Sequence, residues 1–330
     1  MTAQIQTPKE AYTFDYPQAI AFAETQESIF WTATEINVEK DIQDIRVNMT
    51  EAEAHGVITT LKLFTLYELV AGRDYWLGRV LRKFPRPDVN RMAACFGFFE
   101  LNVHAPFYNK INEALMVNTD EFYTDYVEDE TLKARMDFVE DIVCNPDDLL
   151  SLAAFSLVEG AVLYSSFAFL KHFQARGKNK LMNVVRGINF SVRDENLHCE
   201  GGAWLYHQLM TEKLQAGEIT EEQVRDTELK ILEAAREIAN HEFRIVDMIF
   251  EKGGMEGITK DSMKTFIKSR VDLCLSKLGI EPLFNVEEDN PIADWFYTDI
   301  NAVQLHDFFT GIGNQYNRSW DQSKLTWRPV

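Results

Sequence analysis

Four glutamates lie in apolar stretches of the sequence, where a surface charge is not expected. One is the only charged residue between positions 149 and 170, and another is the only acidic residue of AACFGFFELNVHAPFY (93–108). An ionised carboxylate in an apolar interior costs many kcal/mol unless it is paired or bound to a metal. A single case is commonly an ion pair, but four require a common explanation. They are Glu68, Glu100, Glu159 and Glu195.

Two of these glutamates have a histidine one helical turn further along the chain. His198 follows Glu195 by three positions and His104 follows Glu100 by four, so each pair shares one helix face. The order is the same in both halves: a lone glutamate, then a glutamate with a histidine. Two helical hairpins of similar length would bring these residues together. This pattern is typical of the dimetal carboxylate site in ferritin-like helical bundles.

The charge of the six residues agrees with a site for two divalent cations. Four carboxylates neutralise two such ions, and the histidines can then bind as neutral ligands. Oxygen-rich ligation with two imidazoles suits iron or manganese better than zinc or copper. The four cysteines are widely spaced and form no CxxC pair, which argues against an iron–sulfur cluster.

Helical periodicity dominates the chain, and strand patterns are scarce. The sequence therefore predicts an all-α protein, with a single helical domain over 1–310 and a tail over 311–330. The apolar segment 149–170 is long enough to cross a membrane, but flanking Asp147 and Asp148 and internal serines favour a buried central helix. Helices are predicted at about 17–29, 51–83, 88–117, 120–142, 148–175, 178–214, 220–253, 259–277 and 292–310.

The tail lacks the helical period but carries three large aromatic residues, Tyr316, Trp320 and Trp327. A disordered tail rarely needs such residues, whereas one that docks on a partner uses them. From composition alone, packing of the tail on its own domain is an equally good interpretation.

Composition limits the classes of partner and the compartment. Acidic residues outnumber basic ones by 52 to 33, giving a formal charge of −19, which disfavours nucleic acid and anionic membranes as partners. The cysteine spacing is typical of a reduced, intracellular protein, and the N-terminus shows no signal-peptide pattern. We therefore expect a cytoplasmic protein.

Five segments of the sequence resemble those of class I ribonucleotide reductase small subunits. RDENLH (193–198) looks like the family's RDExxH signature, and FWTATEINVEKD (30–41) looks like its FW-x-x-x-E-x-x-V-x-x-D segment. The other metal-bearing helices are matched in order by LKLFTLYELVAGR (61–73), ELNVHAPFY (100–108) and EGAVLYSSFAF (159–169). The resemblance covers roughly residues 30 to 320, and the combination is highly specific.

The resemblance implies a role for each candidate site residue. Two iron or two manganese ions per chain, or a mixed pair, would be bound. Tyr108 matches the radical tyrosine, Trp31 and Asp194 match the radical-transfer path, and Tyr316 matches the tyrosine that relays the radical onward. One ion would be held by Glu68, Glu100 and His104, and the other by Glu159, Glu195 and His198.

The implied function is to make an oxidant and pass it to a separate large subunit, which reduces ribonucleotides to deoxyribonucleotides. A homodimer is also implied. Two other functions fit the metal site alone. A ferritin-like oxidase or oxygenase would act on a small organic substrate and need neither Trp31 nor an aromatic tail. A metal-storage protein would bind many ions per chain, and the chain length argues against it.

Two departures from the family pattern affect the site. The usual Glu-x-x-His spacing is one residue longer between Glu100 and His104; either a π-bulge absorbs the extra residue, or Glu100 is displaced. Pro106 favours the bulge, because it cannot donate to Asn102. Position 68 is Glu where tyrosyl-radical members commonly have Asp, as in subclasses that store the oxidant on the metals. Since Tyr108 is also present, both storage sites remain open.

Overall fold

The computed structural model describes residues 3–286 and 290–297, and this part of the chain is helical without any β-strand. The prediction of an all-α fold is confirmed. The α-helices are α1 Pro17–Ser28, α2 Glu51–Leu69, α3 Leu81–Lys83, α4 Pro87–Phe99, α5 Ala105–Leu115, α6 Asp120–Glu128, α7 Glu130–Cys144, α8 Asp148–Ala161, α9 Tyr164–Lys171, α10 Met182–Ala216, α11 Glu221–Ile249 and α12 Lys260–Lys277. Residues 291–297 form a further helical stretch.

Local sequence explains where the long helices begin and end. Thr50 accepts a hydrogen bond from the backbone N–H of Glu53 and so caps α2. The Asp147 side chain accepts from the first backbone N–H groups of α8. Gly217, with φ of 71°, ends α10 in the left-handed conformation that glycine adopts at little cost. These caps satisfy backbone groups that would otherwise lack partners.

Helix α8 is the centre of the molecule, and it packs against α7, α10, α11 and α12. The segment Asp148–Lys171 is long and apolar enough to cross a membrane, but it is enclosed by the surrounding helices. The buried residues of the described chain form one hydrophobic core around it. The apolar segment therefore lies buried at the centre of the helical domain, as expected from the sequence.

This central segment is two helices, whereas the sequence predicted one from 148 to 175. Val162 is extended and Leu163 has a φ of 74°, so the chain breaks between α8 and α9. A left-handed residue other than glycine costs about 1–2 kcal/mol. Burial of the Leu163 side chain offsets that cost and holds the break just after Glu159 and Gly160.

Two helices contain widened, π-helical turns next to predicted site residues. The helix that begins as α2 continues as a π-helix over Val70–Val80 before α3. Between α4 and α5, Glu100–His104 is π-helical, and the backbone N–H of Ala105 donates to the carbonyl of Glu100, five residues back. The predicted segments 51–83 and 88–117 are therefore helical but not uniformly α-helical.

Two other boundaries also differ from prediction. The segment predicted as one helix at 120–142 is two, because Asp129 ends α6 and caps α7. The helix predicted at 292–310 is helical as far as residue 297, beyond which it lies outside the described residues. The boundary between 1–310 and the tail 311–330 also lies there, so the predicted division stays a prediction.

Candidate metal centre

The six predicted ligands meet in the core, and each is at most 1% exposed. The Nδ1 atom of His104 lies 3.0 Å from Glu100 Oε2 and 3.3 Å from Glu195 Oε1. The Nδ1 atom of His198 lies 2.5 Å from Glu100 Oε1. Side chains from four separate helical segments thus converge on one point.

Within the described chain, these residues form two potential metal sites whose ligand atoms lie within 4.8 Å of one another. Each site contains one of the two predicted ligand triplets. Glu100 and Glu195 belong to both sites and would be shared by two ions. The first site is Glu68, Glu100, His104 and Glu195, and the second is Glu100, Glu159, Glu195 and His198.

The donor atoms fit a pair of cations. In the described part of the chain, both carboxylate oxygens of Glu68 and of Glu195 are buried without a hydrogen-bond donor. Glu159 Oε2 is orphaned in the same way, and the short approach of His198 Nδ1 to Glu100 Oε1 is not a hydrogen bond either. Buried polar atoms are almost always satisfied, and lone pairs that converge without protons between them are satisfied by metal ions. The residues present therefore match a dimetal centre.

Electrostatics in the metal-free protein leads to the same conclusion. Burial, reinforced by Glu100, raises the pKa of Glu68 well above its usual range. Burial and the neighbouring Glu195 do the same to the pKa of Glu159. Burial also opposes ionisation of Glu100, but His198 and His104 outweigh it and hold its pKa well below the usual range. The raised pKa values of Glu68 and Glu159 keep these two carboxyls protonated unless cations join the site.

The π-helical turn brings Glu100 and His104 to the same centre. It accommodates the extra residue between them, and Glu100 belongs to both potential metal sites. Pro106, near the start of α5, follows the widened turn, where a missing N–H is tolerated. Of the two alternatives left open by the sequence, the described geometry agrees with the bulge.

Asp194 links His104 to Trp31 through two hydrogen bonds. Its Oδ2 atom accepts hydrogen bonds from Trp31 Nε1 at 2.7 Å and His104 Nε2 at 3.1 Å. Because a carboxylate only accepts, Nε2 of His104 must carry a proton, and Nδ1 is left to face the ligand cluster. Trp31 is 2% exposed and packs against Phe107 and Phe190.

Two partners of the ligands were not foreseen from the sequence. His198 Nε2 is 3.1 Å from the Gln26 Oε1 atom, and Trp76 Nε1 donates to Glu159 Oε1 at 2.7 Å. Gln26 lies in a polar-looking helix, α1, and Trp76 looks like ordinary core. Gln26 is a polar residue on the buried face of its helix, which is the signal that could have marked it. Its partner, His198, could be identified only from the three-dimensional packing.

Tyr108 is fully buried and stacks on Phe64, with ring centroids 4.2 Å apart. Burial and the nearby Glu68 raise the pKa of its hydroxyl well above the usual range, so the phenol keeps its proton. Tyr67, which the sequence analysis did not single out, is also buried, and burial and Glu159 raise its pKa. Tyr316 lies outside the described residues, so its predicted role stays a prediction.

The helical fold and the buried carboxylate–histidine cluster define a ferritin-like protein of the dimetal carboxylate class. The profile of the family "Ribonucleotide reductase, small chain" matches residues 9–291. The chain belongs to this family. It is 27% identical to the ribonucleoside-diphosphate reductase 2 subunit beta of Escherichia coli (strain K12), over 88% of this chain and 87% of that protein. These relationships support a reductase small subunit over an oxidase or oxygenase.

Solved structures show the same fold. The ribonucleotide reductase R2 subunit from Clostridium botulinum superposes with a TM-score of 0.75 and 22% identity, covering 87% of this chain and 89% of that one. The dimanganese(II) NrdF of Streptococcus sanguinis superposes with a TM-score of 0.73 and 20% identity, covering 87% and 97%. At this level of identity, the likeness concerns the fold alone.

Proposed function

We propose that the chain is the radical-generating subunit of a class I ribonucleotide reductase and works with a separate large subunit that reduces ribonucleotides. The observation that carries this proposal is the juxtaposition of two metal sites, sharing Glu100 and Glu195, with the hydrogen-bonded line from His104 through Asp194 to Trp31. A metal site with no transfer path could serve many oxidation reactions. A buried chain of hydrogen-bonded residues leading away from the site suits transfer of an oxidising equivalent to a partner protein.

The proposed centre holds two iron ions, two manganese ions or one of each. Glu68, Glu100 and His104 would hold one ion, while Glu159, Glu195 and His198 would hold the other. When bound, the ions would supply a one-electron oxidising capacity gained from dioxygen or a related oxidant. Oxygen-rich ligation with two imidazoles supports iron or manganese. The S. sanguinis neighbour is described as a dimanganese protein, which supports manganese as one of the alternatives.

The surrounding residues would store and conduct the oxidising equivalent. Asp194 holds His104 and Trp31 at a fixed spacing and can keep the indole proton within its hydrogen bond. Tyr108, buried and protonated, is one candidate for storage, and the metal pair is the other. In this proposal Tyr316, in the tail, relays the equivalent to the large subunit.

The proposal includes a homodimer in the cytoplasm that docks on the large subunit through residues 311–330. Family membership supports the large subunit as partner. The acidic composition, with a net charge of −19, disfavours nucleic acid as a partner.

Metal analysis combined with low-temperature electron paramagnetic resonance tests the centre. The metal-free protein is loaded with Fe(II) or Mn(II) and exposed to oxidant. We expect about two ions per chain, as the two ligand groups require. A sharp tyrosyl signal would assign storage to Tyr108, whereas a coupled multiline manganese signal would assign it to the metals and explain Glu68. Absence of stoichiometric metal under either loading would refute the proposed centre.

Substitution of Trp31 tests the proposed transfer path. Trp31→Phe keeps the aromatic packing but cannot donate to Asp194, so ribonucleotide reduction with the large subunit should be lost while metal content is unchanged. Trp204→Phe is the matched control, because Trp204 packs against Tyr16 and Phe22. Full turnover by the Trp31 variant would contradict the transfer path.

Deletion of residues 311–330 tests the partner. We expect the shortened chain to bind metal normally but to lose affinity for the large subunit and, with it, nucleotide reduction. Retention of full reductase activity would remove the tail from the docking surface.

A further inference from the structure

Two cysteines that are far apart in sequence meet beside the candidate metal centre. Cys199 on α10 and Cys274 on α12 are both fully buried, and their sulfur atoms are 3.9 Å apart. Both are free thiols. This pair could not be recognised from the sequence, since it is not a CxxC motif and depends on the packing of two distant helices.

The pair lies at the contact between α8 and α10, which together carry three of the predicted ligands, Glu159, Glu195 and His198. Cys199 follows Glu195 by four residues on α10, so both project from the same face one turn apart. Both sulfurs also contact Gly160, the residue after Glu159. A β-carbon at position 160 would lie 2.4 Å from the Cys274 sulfur and 2.6 Å from the Cys199 sulfur. Glycine at this position therefore makes room for the two thiols.

The surroundings of the pair are polar for a buried site. The Arg270 guanidinium lies 4.0 Å from the Cys274 sulfur and donates to the carbonyl oxygen of Gly160 at 2.7 Å. The Ser156 hydroxyl lies 3.6 Å from the Cys199 sulfur. A cysteine that only fills space behaves as a small apolar residue. A positive charge beside a thiol instead stabilises the thiolate, the form that reacts in disulfide formation.

Disulfide formation requires a modest movement and a nearby electron acceptor. A disulfide bond is about 2.05 Å long, so the two sulfurs must approach each other by about 2 Å through side-chain rotation. Neither thiol is exposed to solvent. An oxidant in bulk water therefore has poor access, whereas the proposed metal centre lies about one helical turn away.

We propose that Cys199 and Cys274 form a redox-active dithiol that reduces the oxidised metal centre when its oxidising equivalents are not passed on. Two S–H bonds break and one S–S bond forms. The two protons go to water. Each of the two oxidised metal ions accepts one electron, which lowers its oxidation state by one. The dithiol would thus return the oxidised centre to its reduced state without an external reductant. This inference rests on the metal centre proposed above.

Peptide mapping of the full-length protein tests the proposal. The metal-free chain is loaded with Fe(II), oxidised with dioxygen without the large subunit, and sampled over time by acid quenching and alkylation. Trypsin places the two cysteines on separate peptides, 194–213 and 271–277. We expect the cross-linked pair to accumulate in most chains as the spectroscopic signal of the oxidised centre decays. Metal-free protein given the same dioxygen should stay at background.

Two variants sharpen the result. Cys274→Ser should abolish the cross-link and prolong the lifetime of the oxidised centre several-fold. Cys95→Ser is the matched control, because Cys95 lies on α4 near the Ala23 carbonyl, and it should change neither the cross-link nor the lifetime. If Cys274→Ser does not fold, the wild-type time course still decides the question.

The outcomes separate the two proposals. Metal binding and oxidation followed by decay with both thiols still alkylated would overturn the dithiol alone. A cross-link that forms equally in the metal-free protein would also overturn it, because the centre would not be the electron acceptor. Failure to bind metal would overturn both this inference and the proposed centre.

Discussion

Glu159 places a carboxylate where folding alone would not favour one. It is 1% exposed, and within the described chain only its Oε1 atom is satisfied, by the indole of Trp76. Burial and the neighbouring Glu195 raise the pKa of Glu159 well above its usual range, so keeping this carboxyl in the core without a cation costs stability at neutral pH. The metal-free protein therefore carries a functional group that lowers its own stability.

Glu159→Gln should separate stability from metal binding. Glutamine keeps an acceptor for Trp76 but cannot ionise, so the metal-free variant avoids the cost of holding Glu159 protonated and should be more stable than wild type at pH 7 by about 1–4 kcal/mol. Calorimetry should show a higher melting temperature without metal and a smaller rise when Mn(II) or Fe(II) is added. Glu237→Gln, at an exposed position on α11, is the control and should change neither value. A less stable metal-free Glu159 variant would contradict this account.

His172, which lies outside the candidate metal centre, should make the stability of the fold depend on pH. Burial lowers its pKa from 6.5 to about 4, and its Nδ1–H donates to the Phe169 carbonyl. The unfolded chain therefore binds a proton between pH 6.5 and 4 that the folded chain does not, so stability falls as pH decreases through this window. His172 should account for about 2 kcal/mol of stability lost between pH 7 and pH 5.

Urea unfolding of the metal-free protein at pH 7 and pH 5 measures this loss. His172→Gln should be less stable at pH 7 but should lose less on acidification. His55→Gln, at a partly exposed position, is the comparison. If the His172 variant lost as much unfolding free energy between pH 7 and pH 5 as the wild type, a group other than His172 would be responsible for the loss.

The burial and convergence of the six predicted ligands could be anticipated from the sequence, because an isolated glutamate in an apolar segment is conspicuous. The residues that contact these ligands from outside the site could not be predicted. Gln26, Trp76 and the pairing of Cys199 with Cys274 depend on which helices pack together, and single-residue context carries no information about that. The same holds for His241, which lies in the charged stretch AAREIANHEFR (234–244) but is 6% exposed and packs against Phe138.

At the level of helices, close backbone packing supports the centre. Gly72 and Gly97 face each other where the π-helical segment after α2 crosses α4. A β-carbon at position 72 would lie 2.9 Å from the β-carbon of Glu100 and 2.7 Å from Leu101 Cγ. The two glycines therefore let the backbones approach closely enough for Glu68 and Glu100 to share a site.

Gly72→Ala should move Glu100 by crowding this crossing. We expect a loss of about 1–3 kcal/mol in stability, as for other overpacked cores, together with weaker binding of the second metal equivalent. Thermal unfolding and metal titration measure the two effects. Gly254→Ala is the control, because a β-carbon there meets nothing within 4 Å. Equal behaviour of the two variants would show that the crossing tolerates a methyl group.

Periodicity predicted the existence of most helices but not their internal irregularities. The break at Leu163 requires a left-handed conformation that leucine does not favour locally, and tertiary packing imposes it. The widened turn at Glu100 was predictable only because two ligands had the wrong spacing for a shared centre. The π-helical run over Val70–Val80 had no such marker.

At the scale of the whole molecule, the centre joins helical segments that are distant in sequence. Glu68 lies on α2, Glu100 on the π-helical turn between α4 and α5, Glu159 on α8 and Glu195 on α10. Two shared ions would tie these segments together. Metal binding to the folded state alone stabilises it by mass action.

Hydrogen exchange should therefore respond to metal in a defined pattern. Adding Mn(II) to the metal-free protein should slow amide exchange in the four ligand-bearing segments together, because their local opening would break the centre. Helix α7, Glu130–Cys144, carries no ligand and should change less. Protection confined to one ligand-bearing segment would show that the ions do not join all four. Mass spectrometry of peptic fragments gives the readout.

The widened turn between Glu100 and His104 also bears on how such chains are compared. One residue added to an α-helix rotates everything beyond it by about 100°. Here Met92 and Phe96 before the turn and Phe107 and Ile111 after it all remain buried, so the turn absorbs that rotation. Length can therefore vary inside this helix while both ends keep their core contacts. An alignment that forbids gaps within helices would misplace one half of it, and the correct gap lies between positions 100 and 104.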